Sequence, residues 1–194
     1  MQGGIKMREN QRVIVLTGAA GTGKTTVQNY LKQAYQMPSI ITHTTRSART
    51  GEQSGVDYYF ENKASFDQLH LLESVQYADN RYGSSWEGIN KAFQEHQFAS
   101  IVLDTAGAIT YQKQLGEKAK IIFLTVDNQC EIKTRMLKRG DRLADVEKRM
   151  QSKEVNRDLN LPSELQGHAT IIENENWQKT KQSIDQIIKK LSND

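Results

Sequence analysis

A chain of 194 residues, 37% hydrophobic and 25% charged, has room for one core domain with insertions. Its longest apolar runs, such as Ile121-Ile122-Phe123-Leu124, fall far short of a membrane span, and the start Met1-Gln2-Gly3-Gly4 carries neither a signal peptide's apolar segment nor a myristoylation signal. The sole cysteine, Cys130, excludes an intrachain disulfide or a cysteine-cluster metal site, and a net charge of +3 suits a small polyanionic ligand at least as well as nucleic acid. A cytoplasmic protein is expected, monomer or homodimer, with no nucleic-acid or membrane partner.

In chain order, the β-branched run Val13-Ile14-Val15-Leu16 reads as a buried strand. It leads into Gly18-Ala19-Ala20-Gly21-Thr22-Gly23-Lys24-Thr25-Thr26, which fits G-x-x-x-x-G-K-[ST], the phosphate-binding P-loop. Glycines at that spacing let backbone N–H groups converge at a helix N-terminus, where the dipole favours an anion. Lys24 is then placed to reach the β- and γ-phosphates, and the Thr25 hydroxyl to sit on Mg²⁺. Val27, Leu31 and Tyr35 recur at helical spacing, so a helix is predicted from Lys24 to Gln36.

Ser39-Ile40-Ile41-Thr42 reads as a second strand and Val56 to Phe60 as an aromatic strand after a glycine turn. Ser65 to Leu72 is expected as a short helix, Val75 to Tyr82 as a hairpin, and Trp86 to Phe98 as a helix. Ser100 to Asp104 has the form of a Walker B strand ending in a carboxylate, and Lys120 to Val126 is a buried strand. Ile109 to Gly116 is helical or irregular, and Asn128 to Arg139 a helix stopped by Gly140. A charged stretch runs from Asp141 to Asp158. Ala169 to Ile172 is a strand and Trp177 to Leu191 a closing amphipathic helix. Alternating strands and helices imply an α/β fold in three layers, a parallel sheet with helices on both faces. Residues 39–90 break the alternation and read as an inserted subdomain.

The most specific stretch is Thr44-Thr45-Arg46-Ser47-Ala48-Arg49-Thr50-Gly51-Glu52-Gln53-Ser54-Gly55-Val56-Asp57-Tyr58-Tyr59-Phe60. Two arginine forks and a tyrosyl hydroxyl can close on one phosphate; a solvated loop with surface arginines is the plainer alternative.

This stretch resembles the acceptor motif of the guanylate kinases, T-T-R-x-x-R-x-G-E-x-x-G-x-D-Y-x-F, at every fixed position. The resemblance runs from Val13 almost to the end of the chain. It implies that Arg46, Arg49, Tyr58 and Tyr82 hold the phosphate of GMP. Glu73 and Ser84 would read the guanine, with Thr42 and Asp104 beside them. A carboxylate such as Glu73 can accept from guanine N1–H and N2–H₂ together, whereas adenine N1 would oppose it lone pair to lone pair. ATP would lie on the P-loop, Gly18, Ala19, Ala20, Gly21, Thr22, Gly23, Lys24, Thr25 and Thr26, with Arg139 and Asn174. Mg²⁺ would be held by Thr25 and Asp104, directly or through water. Arg135 to Gly140 and Arg149 resemble the entry and exit of the family's lid, so Lys24, Arg46, Arg135 and Arg149 would carry the catalytic charge. The implied division is a P-loop core of residues 1–38, 91–139 and 156–194, a GMP-binding subdomain 39–90 and a short helical lid 140–155.

Departures exist. The family pairs two carboxylates two residues apart after the Walker B strand. Here Asp104 reads as the first and Ala106 stands at the second position, where the family's acid helps hold guanine. The lid is one residue short, and Ala48 replaces a common proline. The readings are therefore a GMP kinase, a kinase with an altered acceptor such as IMP, dGMP or another phosphorylated metabolite, and a non-catalytic guanylate-kinase-like binding module. Trp86, two residues beyond Ser84, is expected to sense acceptor binding, and Trp177 to be a constant background.

Overall fold

The computed structural model describes residues 7–193 apart from 78, 95 and 139, with side chains described except at 77, 129, 149, 153 and 154. The elements, in order, are β1 (Arg12–Thr17), α1 (Lys24–Tyr35), β2 (His43–Thr44), β3 (Tyr59–Phe60), α2 (Lys63–Asp67), β4 (Leu71–Tyr77), β5 (Asn80–Ser85) and α3 (Trp86–Ala92). They continue with β6 (Phe98–Val102), α4 (Thr105–Leu115), β7 (Ala119–Thr125), α5 (Gln129–Lys138), α6 (Leu143–Met150), α7 (Lys153–Asp158), β8 (Ala169–Glu173) and α8 (Trp177–Asn193).

One sheet has the order β6-β1-β7-β8, with every pair parallel. Strands β6, β1 and β7 are largely buried, with successive side chains of β1 pointing to opposite faces, whereas the edge strand β8 leaves Thr170, Ile171 and Glu173 exposed. Val13 and Val15 join the core formed with Ile89, Ile101 and Tyr111, while Ile14 and Leu16 join Val27, Leu31, Ile184 and Ile188. Helices α1 and α8 thus cover one face, and α3 and α4 the other. The three-layer α/β fold expected from the alternation is the one observed.

The second sheet, order β3-β2-β5-β4, lies within the stretch that broke the alternation. The hairpin β4–β5 is antiparallel and longer than the sequence implied, pairing Tyr77 with Asn80 at the tip and Glu73 with Ser84 near the base. Gly83 is obligatory there, since a Cβ would stand 2.8 Å from the carbonyl oxygen of Glu73.

Several boundaries differ from expectation. Ser39 to Thr42 is no strand: only Ser39 bridges to Ser100, and the chain then turns away so that His43 and Thr44 join the second sheet. The aromatic strand shrinks to Tyr59 and Phe60, because the amides of Val56 and Asp57 close a turn on the Gln53 carbonyl. The short helix begins earlier, at Lys63, capped reciprocally by Asn62 and Ser65, and leaves Leu71 and Leu72 to β4. The helix after Trp86 stops at Ala92, and Phe98 opens β6. The ambiguous stretch at Ile109 is part of α4, which starts at Thr105 because the Asp104 carboxylate caps it, accepting from the Gly107 amide at 2.7 Å.

Helices α5 and α6 pack through a small core of Ala19, Val126, Ile132, Met136 and Val146. This core seats the charged stretch against the P-loop.

Candidate active site

The P-loop has the backbone its glycines permit. Gly18 (φ +124°) and Gly23 (φ +95°) adopt conformations that side chains avoid, and a Cβ on either would stand 2.2 Å from a neighbour, the Leu124 carbonyl oxygen or Asn174 Nδ2. Among the described residues no side chain caps α1, so its first amides remain available to an anion. Lys24 Nζ curls over the loop and donates to the carbonyls of Gly18 and Ala19 at 2.6 and 2.7 Å.

Asn174 braces this loop. Its Nδ2 donates to the Thr22 carbonyl at 2.8 Å, and its Oδ1 accepts from the Thr180 hydroxyl at 2.8 Å. Its own carbonyl accepts from Arg135, which also pairs with Glu131. The described structure therefore gives Asn174 a supporting task under the loop as well as a place at its edge.

Two cavities meet at the P-loop. One, of about 800 Å³, is bordered by Ala20, Gly21, Gly23, Lys24, Thr25, Thr26, Arg135, Asn174 and Trp177. The other, of about 1010 Å³, is bordered by Gly18, Ala20, Lys24, Thr42, Arg49, Tyr58, Glu73, Tyr82 and Asp104, with Asp141, Arg142, Asp145 and Lys148 across the mouth. Ala20 and Lys24 face both. Trp177 borders the first cavity rather than standing apart from it.

Arg46 is held in a two-pronged ion pair with Glu52, NH1 and NH2 each 2.9 Å from a carboxylate oxygen. Its guanidinium lies over the rings of Tyr58 and Phe60, at 5.5 and 5.9 Å from their centroids. The Arg46 fork holds the Glu52 carboxyl below its ordinary pKa, and burial raises the Tyr58 phenol. Tyr58 meets Tyr82 edge-to-face. Of the four residues expected around one phosphate, Arg49, Tyr58 and Tyr82 border the larger cavity, while Arg46 lies against Tyr58, paired with Glu52, and is not among the residues lining it.

Glu73 is 6% exposed. Burial, with a smaller push from the Asp104 charge, raises its pKa from 4.5 to about 7, while hydrogen bonds from Ser84 oppose the shift. Ser84 has no exposed surface and stands behind Glu73, with the Tyr111 hydroxyl 2.8 Å from its Oγ. Asp104 is engaged at both oxygens, Oδ1 by the α4 N-terminus and Oδ2 by Arg157 at 2.8 Å. Arg157 also reaches Asp158, which is buried and accepts from the Thr105 hydroxyl. Ala106 lies in the first turn of α4 and, among the described residues, does not border the cavity, whereas Val102, Leu103 and Asp104 do. Arg139 lies outside the described residues, as does the side chain of Arg149.

The match to known proteins is decisive at the family level. The model of the family described as guanylate kinase covers residues 10–191. The chain belongs to the guanylate kinase family. The guanylate kinase of Latilactobacillus sakei is 36% identical over 152 residues, covering 75% of this chain and 74% of the relative. That of Bacillus subtilis is 29% identical over 189 residues, covering 94% and 90%. The crystal structure of guanylate kinase from Anaplasma phagocytophilum superposes with a TM-score of 0.64 at 20% identity, over 94% of this chain and 87% of that one, so this guanylate kinase family member also shares the fold.

Proposed function

We propose that this protein transfers the γ-phosphoryl group of ATP to GMP, giving ADP and GDP. One observation carries the proposal furthest: Lys24 and Ala20 border both cavities, so a donor on the P-loop and an acceptor beside Glu73 would meet at one lysine.

The donor side fits a triphosphate. The uncapped amides of α1 and the glycine loop would cradle its phosphates, and Arg135 would face them from α5. Thr25, which borders this cavity, would hold Mg²⁺ through its hydroxyl oxygen. Bound there, the ion would neutralise charge on the transferring group. Asp104 is turned toward α4 and Arg157 and serves the acceptor instead.

On the acceptor side, Arg49, Tyr58, Tyr82 and the Arg46 fork would hold the GMP phosphate, and ionised Glu73 would accept from guanine N1–H and N2–H₂. Thr42 and Asp104 complete the wall, and residues 39–90 act as the acceptor-binding unit. The two carboxylate positions of the family then fall at 102 and 104. Asp104 is the acid beside guanine, and Val102 is the position that lacks one. The reason to expect a relaxed acceptor at Ala106 disappears.

An acceptor phosphate oxygen attacks the γ-phosphorus in line, the bond to the bridging oxygen breaks, and its electron pair leaves on ADP. Little else is asked of the protein than alignment and positive charge. Residues 140–155, already across the mouth of the acceptor cavity, would exclude water during transfer.

The test is a coupled assay of ADP release with ATP, Mg²⁺ and each nucleoside monophosphate in turn. Turnover confined to GMP and dGMP supports the proposal. Equal turnover with AMP, or none with any, overturns it.

A further inference from the structure

Arg157 lies on α7, the short helix that follows the charged stretch across the cavity mouth, where a solvated arginine would be ordinary. Its guanidinium instead joins two carboxylates. Nε is 2.8 Å from Asp158 Oδ1, and a terminal nitrogen is 2.8 Å from Asp104 Oδ2. The Arg157 side chain is 40% exposed, whereas those of Asp104 and Asp158 are only 13% and 10% exposed. Ion pairs with one partner this open to water add little to stability, so the fold does not depend on them. What they fix is the direction of the Asp104 carboxylate.

Asp104 Oδ1 accepts from the Gly107 amide at 2.7 Å and Oδ2 accepts from Arg157, so the carboxylate is gripped from two helices. Asp158 anchors the arginine in turn, because its Oδ1 also accepts from the buried Thr105 hydroxyl, one residue beyond Asp104. The clamp thus closes on itself between α4 and α7. Each Asp104 oxygen keeps a second lone pair for another donor. A Cβ on Gly107 would stand 3.2 Å from Asp104 Oδ1 and 3.5 Å from Glu73 Oε2, so the two carboxylates flank one point. Both border the larger cavity. Like charges this close repel, and the Arg157 charge beside Asp104 offsets that repulsion.

We propose that Arg157 is a positioning residue for acceptor selection: by clamping Asp104 Oδ2 from α7, it aims the Asp104 carboxylate, beside Glu73, at the amino group that distinguishes guanine from hypoxanthine. This rests on the guanine reading proposed above. Glu73 accepts from N1–H and from one hydrogen of the C2 amino group, and Asp104 accepts from the other. Hypoxanthine carries N1–H but no amino group, so a well-aimed Asp104 favours guanine over it. Arg157 is not among the residues that border the cavity, and its effect passes through Asp104.

The test is a double-mutant cycle on the full chain with Arg157→Met, Asp104→Ser and the pair, titrated calorimetrically with GMP and with IMP in the absence of ATP. Where IMP binds too weakly to titrate directly, its Kd is taken from competition with GMP. Serine at 104 still caps α4 but removes the carboxylate. Melting curves check that each variant folds, and Arg157→Gln takes the place of Arg157→Met if that variant does not. The ratio of Kd for IMP to Kd for GMP is expected to fall about fivefold in Arg157→Met, as partial loss of a charged hydrogen bond implies, with Kd for IMP within about twofold. In the pair the ratio should match that of Asp104→Ser alone, because Arg157 has nothing left to aim. An unchanged ratio, equal weakening of both ligands, or effects that multiply in the pair would mark the Arg157 contacts as surface pairing and overturn the inference. Wild-type protein that binds no GMP removes the guanine reading and this inference together, whereas wild-type GMP binding with an unchanged ratio in the variant removes only this inference.

Discussion

Arg46 and Glu52 form a two-pronged ion pair six residues apart, with both nitrogen–oxygen contacts at 2.9 Å and both side chains largely out of water. Glu52 also accepts from the Arg49 amide at 2.7 Å, so one carboxylate orders the whole arginine loop. If this cluster holds the acceptor phosphate as proposed, part of the entropy of holding a long side chain is met in advance.

Glu52→Gln should disorder that loop. We expect KM for GMP to rise roughly tenfold, since a charged hydrogen-bond pair is worth about 1.5–3 kcal/mol, with KM for ATP unchanged. Steady-state kinetics with each substrate varied will decide, and a parallel rise in both KM values would contradict it.

Lys24→Ala removes the charge that faces both cavities. A fall in kcat of at least about a hundredfold is expected, the scale seen when a preorganised charge-stabilising group is lost. GMP binding measured by calorimetry without ATP should stay within a few-fold. Collapse of GMP binding would show that the two cavities are not separate sites.

Glu73 makes stability and binding respond to pH in opposite senses. Its pKa rises on folding from 4.5 to about 7, so the native state binds the extra proton between those values. Its contribution is complete below about pH 4.5 and lost as pH rises through 7. Glu73→Gln should consequently gain stability over wild type at pH 8, by at most about 3 kcal/mol, and little at pH 4.5. In the wild type KM for GMP should climb as pH falls below 7, because the base requires the carboxylate. Melting curves at both pH values check the first, and a pH profile of KM the second; a variant equally stabilised at both would refute the assignment.

Trp177 borders the cavity beside Thr25 and Arg135, the proposed donor site, edge-to-face with Tyr30 at 5.5 Å and with Lys181 Nζ 5.9 Å from its ring centroid. Adding ADP should change its emission saturably, and Trp177→Phe should abolish that change while leaving any response of Trp86 to GMP. An ADP response that survives in Trp177→Phe would place the donor base elsewhere.

Ala106→Asp should leave the ratio of kcat/KM for GMP and IMP within about twofold of wild type, because position 106 lies on α4 away from the cavity wall. A large gain for GMP alone would restore the view that a carboxylate is missing at that position.

Much of this was legible in the chain itself. The P-loop is local: three glycines with positive φ and a lysine following them can form one conformation on a strand–helix junction, so spacing sufficed. The same holds for the central strands of the core sheet, whose apolar runs Val13 to Leu16 and Ile121 to Leu124 are buried. The acceptor motif named Arg46, Arg49 and Tyr58 correctly as neighbours, because the chain between them closes on itself through Glu52 and Gln53.

Tertiary structure alone decided the rest. Residues 39–42 carry strand-like side chains, yet the backbone leaves the main sheet after one bridge because the next two residues find partners in another sheet. Asp104, expected beside the acceptor and at Mg²⁺, caps α4 once that helix starts at Thr105, and this long-range arrangement sets its carboxylate near Glu73 and against Arg157. Tyr111 and Ser84 are far apart in sequence and meet only because α4 packs on the hairpin. Periodicity reports which face of an element is buried; what that face touches depends on long-range packing, which is what brings Glu73, Asp104 and Ser84 together.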